Sequence, residues 1–87
     1  MTSTPVTITN PLGLHARAAA RFVHAAAKFV SQVRVTAGSR VMDGKSVMGL
    51  LLLAAARGTE ILISADGPDE VEAVDALCRL VARGFES

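Results

Sequence analysis

Gly13-Leu14-His15-Ala16-Arg17 sets a nucleophile and a fixed positive charge two residues apart, at the mouth of an alanine-rich segment. Imidazole is one of the few side chains that is both neutral near pH 7 and nucleophilic. At a helix start the first backbone N–H groups lack intrahelical partners and carry the positive end of the macrodipole. Such an end seats an anion, phosphate above all. Arg17 adds planar donors that match phosphoryl oxygens. A nucleophile, an anion cradle and a charge clamp thus fall within one helical turn, and the chemistry they fit is phosphoryl transfer.

A second centre follows thirty residues on. Ser46 precedes Val47-Met48-Gly49-Leu50-Leu51-Leu52-Leu53, and its ordinary reading is a helix N-cap. That run is apolar all round apart from Gly49, more than a short surface helix can hide. Some of Val47, Met48 and Leu51 are therefore expected to stay exposed as the apolar centre of a docking patch. A phosphate on Ser46 would place about two negative charges at a helix start, which the helix tolerates, and beside a patch that would not. One hydroxyl can then switch docking with little change of fold.

The elements that must hold these groups read in order. Val6-Thr7-Ile8-Thr9 alternates and predicts a strand closed by Asn10-Pro11. A helix is expected from Ala16 to Phe29, burying Ala19, Phe22, Val23, Ala26, Ala27 and Val30. Its other stripe is basic: Arg17, Arg21, His24 and Lys28. Ala20, Arg21 and His24 join Val47, Met48 and Leu51 as expected docking residues, while Lys28 alone reads as a solvated face. Val33 to Thr36 and Arg40 to Asp43 predict a hairpin around Gly38-Ser39. Glu60 to Ala65 is a fourth strand with Ile61, Ile63 and Ala65 inward. Asp69 and Glu72 have capping-box spacing for a last helix that buries Val71, Val74, Leu77, Cys78 and Val81 and stops near Gly84. The order βαββαβα predicts an α+β two-layer open-faced sandwich. A right-handed crossover leaves a gap between the first two strands that the fourth fills, giving a four-stranded antiparallel sheet of order 1-4-2-3.

Composition narrows the class. Eighty-seven residues make one small domain, spanning 1–87, with a single core. Only three aromatic residues, all Phe, are present, so alanine, valine and leucine must fill that core. The lone Cys78 cannot form an internal disulfide, and it reads as a small packing side chain in a reducing compartment. The N-terminus has no secretory pattern, and the run from Val47 to Ala56 is about half a bilayer span. A soluble cytoplasmic protein, with no membrane insertion, no metal and no cofactor, is expected. Charge is uneven. Five bases and no acid precede residue 43, giving +5, whereas four bases against eight acids follow, giving −4. That asymmetry suggests acidic partners. The scarcity of aromatics argues against single-stranded nucleic acid, although a small RNA-binding α+β domain using the basic half is an alternative class.

Taken together, the two motifs resemble the histidine-containing phosphocarrier proteins, HPr, of the bacterial phosphoenolpyruvate-dependent phosphotransferase system. The resemblance rests on Gly13-Leu14-His15-Ala16-Arg17, on Gly44-Lys45-Ser46-Val47-Met48-Gly49 and on the Asp66-Gly67 turn, and it covers essentially the whole chain. It implies that His15 accepts a phosphoryl group on Nδ1 from Enzyme I and passes it to enzyme IIA domains, with Arg17 contacting that group. It further implies that Ser46 is modified by an HPr kinase/phosphorylase, that Val47, Met48 and Leu51 form the docking patch, and that the protein is a carrier rather than a free-standing enzyme. A carrier of this kind is expected to be monomeric. The family motif usually continues with proline where Ala18 stands here. Alanine keeps the helix but restores an N–H beside the anion site. Nitrogen-branch carriers and purely regulatory modules of the same fold are the alternatives within the resemblance, and retention of His15 argues against the latter.

Overall fold

The structure, a computed structural model, describes residues 1–86. Its elements run β1 (Thr2–Thr7), α1 (Ala16–Ala26), β2 (Gln32–Ala37), β3 (Arg40–Asp43), α2 (Val47–Leu53), β4 (Glu60–Asp66) and α3 (Glu70–Ala82). The sheet is antiparallel throughout in the order β1-β4-β2-β3, as the sequence predicts. Helices cover one face. Val33, Val35, Ile61, Ile63 and Ala65 point into the layer they form, against Ala19, Phe22 and Ala26 of α1 and Val74, Leu77 and Val81 of α3. Phe22 is 1% exposed, and removing so large a side chain from a packed core costs about 3–5 kcal/mol. No helix among the described residues is long and apolar enough to cross a membrane.

Several local expectations shift. The first strand occupies Thr2–Thr7 rather than Val6 to Thr9, because its ladder with β4 runs from Thr2 opposite Ala65 to Thr7 opposite Glu60. Pro5 is tolerated within it because β1 is an edge strand. Beyond it, Ile8 is buried and exchanges backbone bonds with Thr59 and Gly58 outside the strand proper. The first helix ends at Ala26, not Phe29. Lys28 and Phe29 donate to the carbonyls of Ala25 and Ala26, three residues back, so the chain tightens and turns away. Ala27 and Val30 are consequently exposed rather than buried, Val30 at 75%. The Lys45 ammonium closes this turn by donating to the Phe29 carbonyl at 2.6 Å.

The expected capping box does not form. Asp69 precedes α3, but its carboxylate makes no cap bond to that helix. It instead accepts from the backbone N–H groups of Val30 and Ser31, each at 3.0 Å, and from the Ser31 hydroxyl. Ser31 is the buried polar residue of the core layer, so Asp69 satisfies donors that the α1–β2 turn would otherwise strand. The N-terminal turn of α3 is served by Glu70, which accepts from Gly67 N–H and from the Thr2 hydroxyl and pairs with the N-terminal amine at 3.1 Å. Val71 is 61% exposed, not inward. Cys78 is only half-buried; that burial pushes its thiol up from the usual value, keeping it protonated.

Hydrogen bonds from Ser31 and Val30 hold the Asp69 carboxyl below its ordinary value of 3.8, and bonds from Thr2 and the N-terminal amine lower Glu70. A depressed carboxyl contributes stability above its unfolded value and loses it as pH falls through the folded value. Urea-unfolding midpoints should therefore drop as pH falls below the ordinary carboxylate range. Asp69→Asn, less stable at neutral pH, should lose less than the wild type over that interval, leaving Glu70 as the remaining acid-sensitive contact.

Candidate functional site

His15 is the N-cap residue of α1, in extended backbone at φ −79° and ψ 179°, and is half-buried. Its side chain makes no cap hydrogen bond. The first backbone bond of α1 runs from Ala19 N–H to the His15 carbonyl at 2.8 Å, so the N–H groups of Ala16, Arg17 and Ala18 face the helix end without helical acceptors. The imidazole is thus uncommitted beside unpartnered donors. Arg17 is exposed within the first turn of the same end, and the two ion pairs among the described residues involve neither it nor His15. An anion on the ring could be met by backbone N–H groups and a guanidinium together.

The loop that presents His15 is held by three hydrogen bonds. Leu14 donates to the Ala55 carbonyl at 2.9 Å, Asn10 Nδ2 donates to the Gly13 carbonyl at 2.7 Å, and Gly13 N–H donates to Asn10 at 3.1 Å. Gly13 sits at φ +63°, where L-residues are strained, and a Cβ there would lie 2.5 Å from the Ala55 carbonyl oxygen. Leu14 itself is buried. The histidine is therefore aimed by backbone contact with the segment that leaves α2, rather than by hydrogen bonds to its ring.

Ser46 is the N-cap of α2, its hydroxyl accepting from Gly49 N–H at 3.0 Å. The α2 helix has seven residues, so Ser46 and the Ala55 contact lie at opposite ends of a segment about 10 Å long. Leu50 and Leu53 are buried, whereas Met48 is 69% and Val47 36% exposed. Leu51 is half-buried and packs on the core, leaving it the least accessible of the three expected patch residues. Leu52 and Leu12 are both exposed as well, Leu12 flanking the Gly13–Ala55 contact. Neither was singled out from sequence. The uniform hydrophobicity of the leucine run hid which member turns outward, and Leu12 precedes the motif by itself. Arg40 closes the other end of α2, donating to the Leu52 carbonyl at 2.7 Å.

Ala20, Arg21 and His24 lie along α1, on the wall of a groove of about 600 Å³ between α1 and α3. Ala20 and His24 are exposed. Arg21 is half-buried and tied down, donating to the Phe85 carbonyl at 2.8 Å, so it anchors the chain beyond α3 to the first helix. The structure thus brings His15 and Arg17 together at one helix end, with the α2 patch on one flank and the basic groove on the other.

Fold and site define a class: a small open-faced α+β sandwich with a histidine at the start of its first helix. The family model described as the phosphorylation site of the phosphotransferase-system HPr component matches residues 2–83. The phosphocarrier protein HPr of Cupriavidus necator is 51% identical over 79 residues, covering 91% of this chain and 89% of that protein. HPr of Pseudomonas putida is 44% identical over 87 residues, covering 99% and 97%. A crystal structure of HPr from Thermoanaerobacter tengcongensis superposes with a TM-score of 0.94 at 41% identity, covering 100% of this chain and 99% of that one. The chain belongs to the HPr family of phosphocarrier proteins.

Two alanine substitutions separate the causes of the Gly13 requirement. Gly38 has nearly the same φ, +61°, but open space around it. Gly38→Ala should cost about 1 kcal/mol for the left-handed backbone alone. Gly13→Ala should cost roughly 1–3 kcal/mol more for the clash with Ala55, and amide shifts from Leu14 to Arg17 should move only in that variant.

Proposed function

We propose that His15 is the phosphoacceptor of this carrier, taking a phosphoryl group from Enzyme I and delivering it to enzyme IIA domains in the cytoplasm. The single observation that carries the reading is an imidazole left uncommitted at a helix start whose first three N–H groups have no helical acceptor. The Nδ1 lone pair attacks phosphorus of the donor phosphohistidine. The new N–P bond forms as the donor's breaks, and that electron pair returns to the donor imidazole. Phosphoryl transfer of this kind has a loose transition state that chiefly needs in-line placement and charge stabilisation. The helix end and Arg17 supply charge stabilisation from this chain, and the partner supplies placement. The whole chain then acts as one carrier domain, a covalent intermediate rather than a catalyst, working as a monomer that moves between partners.

Docking is assigned to the exposed apolar side chains of α2, Val47 and Met48 with the edge of Leu51, and to Ala20, Arg21 and His24 on α1. Arg21 contributes mainly by holding the Phe85 carbonyl, with its outer donors left for the partner. Ser46 is proposed as the regulatory site of an HPr kinase/phosphorylase. Its hydroxyl caps α2, so a phosphate there keeps a favourable place at the helix end while setting negative charge beside the apolar patch. Ala18 leaves an N–H at the anion site that a proline would remove.

Incubation with Enzyme I and phosphoenolpyruvate should give an acid-labile phosphate that is lost in His15→Ala and kept in His24→Ala; label surviving in the His15 variant would end the assignment. Arg17→Ala should slow transfer by on the order of a hundredfold, with Arg17→Lys recovering part of it. Ser46→Asp should raise the KM for Enzyme I at least about tenfold with little change in thermal stability. Ala18→Pro should alter transfer kinetics without unfolding α1.

A further inference from the structure

The groove between α1 and α3 lies on the flank of α1 away from the α2 patch, and none of its lining comes from α2. Its floor is apolar, formed by Phe29 of the α1–β2 turn and by Ala76 and Leu80 of α3. Its rim is basic, with Arg17, Lys28 and Arg83 all exposed. No acidic side chain lines it. The acids of α3 are Glu70 and Glu72 in its first turn and Asp75, which pairs with Arg79, whereas Arg83 stands past its last residue. Lys28 and Arg83 enter no ion pair among the described residues, and Arg83 donates only its Nε–H, to the Glu86 carbonyl. The two walls are braced: Arg21 ties α1 to the Phe85 carbonyl beyond α3, and Phe85 is buried.

We propose that this groove takes an acidic amphipathic helix of a partner protein, at a surface that shares Arg17, Ala20, Arg21 and His24 with the phosphotransfer face and extends past it onto α3. Charge and shape choose the occupant. Arg17 stands in the first turn of α1 and Lys28 just past its last residue, a span of roughly 15 Å, too far for one phosphate group to bridge. A single small anion would leave most of the rim unmatched and the apolar floor uncovered. An elongated polyanion with no apolar side would satisfy the rim and still leave the half-buried Phe29 and Ala76 partly wet. A helix carrying leucine-like side chains on one face and glutamates along its edges satisfies both. It would lie between α1 and α3 as a third helix does in ordinary helix packing, with apolar anchors down and carboxylates on Lys28 and Arg83. The residues that define this surface beyond the phosphotransfer site are Lys28, Phe29, Ala76, Leu80 and Arg83, and the binding requires nothing of the chemistry at His15.

The test uses the isotopically labelled full chain and three probes: a sixteen-residue amphipathic helix built of Glu and Leu, the same composition scrambled, and a thymidine dodecamer. The amphipathic peptide should shift the Ala25, Ala76 and Leu80 methyl signals. Its Kd should weaken at least about tenfold in Lys28→Glu, whose side chain is exposed and outside the core. Arg83→Gln, with the helicity of the variant checked by circular dichroism, should weaken it about threefold, and the scrambled peptide should bind at least about tenfold more weakly than the amphipathic one. Equal binding by the scrambled peptide or tighter binding by the oligonucleotide would overturn the proposal, because bulk charge would then suffice. Shifts centred on Met48 and Leu51 would overturn it too, by placing the peptide on the α2 patch. His15→Ala should bind the peptide as the wild type does, so loss of phosphotransfer and loss of groove binding are read apart.

Discussion

The approach of the Gly13 backbone to the Ala55 carbonyl is the contact on which the working geometry depends. It occurs between two loops, each at the end of a short helix, and it is possible only because position 13 has no side chain. Through it the start of α1 is held against the end of α2, and those helices carry His15 and Ser46 respectively. An imidazole at one end and a capping hydroxyl at the other are thus mounted on one corner of the fold rather than on independent loops. The α2 surface between them is where Val47, Met48 and Leu52 emerge. A molecule spanning the exposed α2 side chains would meet both residues, and under the proposed function that is the route from a phosphate on Ser46 to transfer at His15.

Charge in this chain is sorted by structure more finely than by sequence. Of the five bases before residue 43, Arg34 stands on the sheet opposite Asp43 and Ser64, and Arg40 is spent on the carbonyl end of α2. The remaining three, Arg17, Arg21 and Lys28, line one side of α1 and are joined there by Arg83 from the acidic half. The apparent +5 block is therefore divided between caps, sheet and groove, and only the groove concentrates it. A linear count could not reveal this, since Arg83 is contributed by the segment whose sum is negative.

The chemical motifs were legible in the sequence because they depend on residues adjacent in the chain: His15 with Arg17, and Ser46 with the N–H three residues on. Sheet order followed from connection handedness and strand alternation. What was not legible depended on partners far away. Asp69 has capping spacing with Glu72, yet its strongest donors, Val30 and Ser31, come from almost forty residues earlier, and they win because Ser31 is buried and needs an acceptor. The same bonds draw Val30 out of the helical stripe that periodicity assigns it, and the Lys45 bond to Phe29 fixes the turn that ends α1. Val71 was misread because an apolar residue at helical spacing in a first turn faces the core only if that turn is covered, and here the covering is done by Glu70 and Thr2.

The unused N-cap at His15 places this protein in a conflict between folding and work. Serine, threonine, aspartate or asparagine at that position would close the helix end and add about 1 kcal/mol of stability. The imidazole there closes nothing, so α1 begins with donors that have no helical acceptor. Selection for stability alone would remove such a residue. Its presence leaves α1 a helix with an open end, and under the proposed function the group that completes it is a phosphoryl that arrives from one partner and leaves with the next.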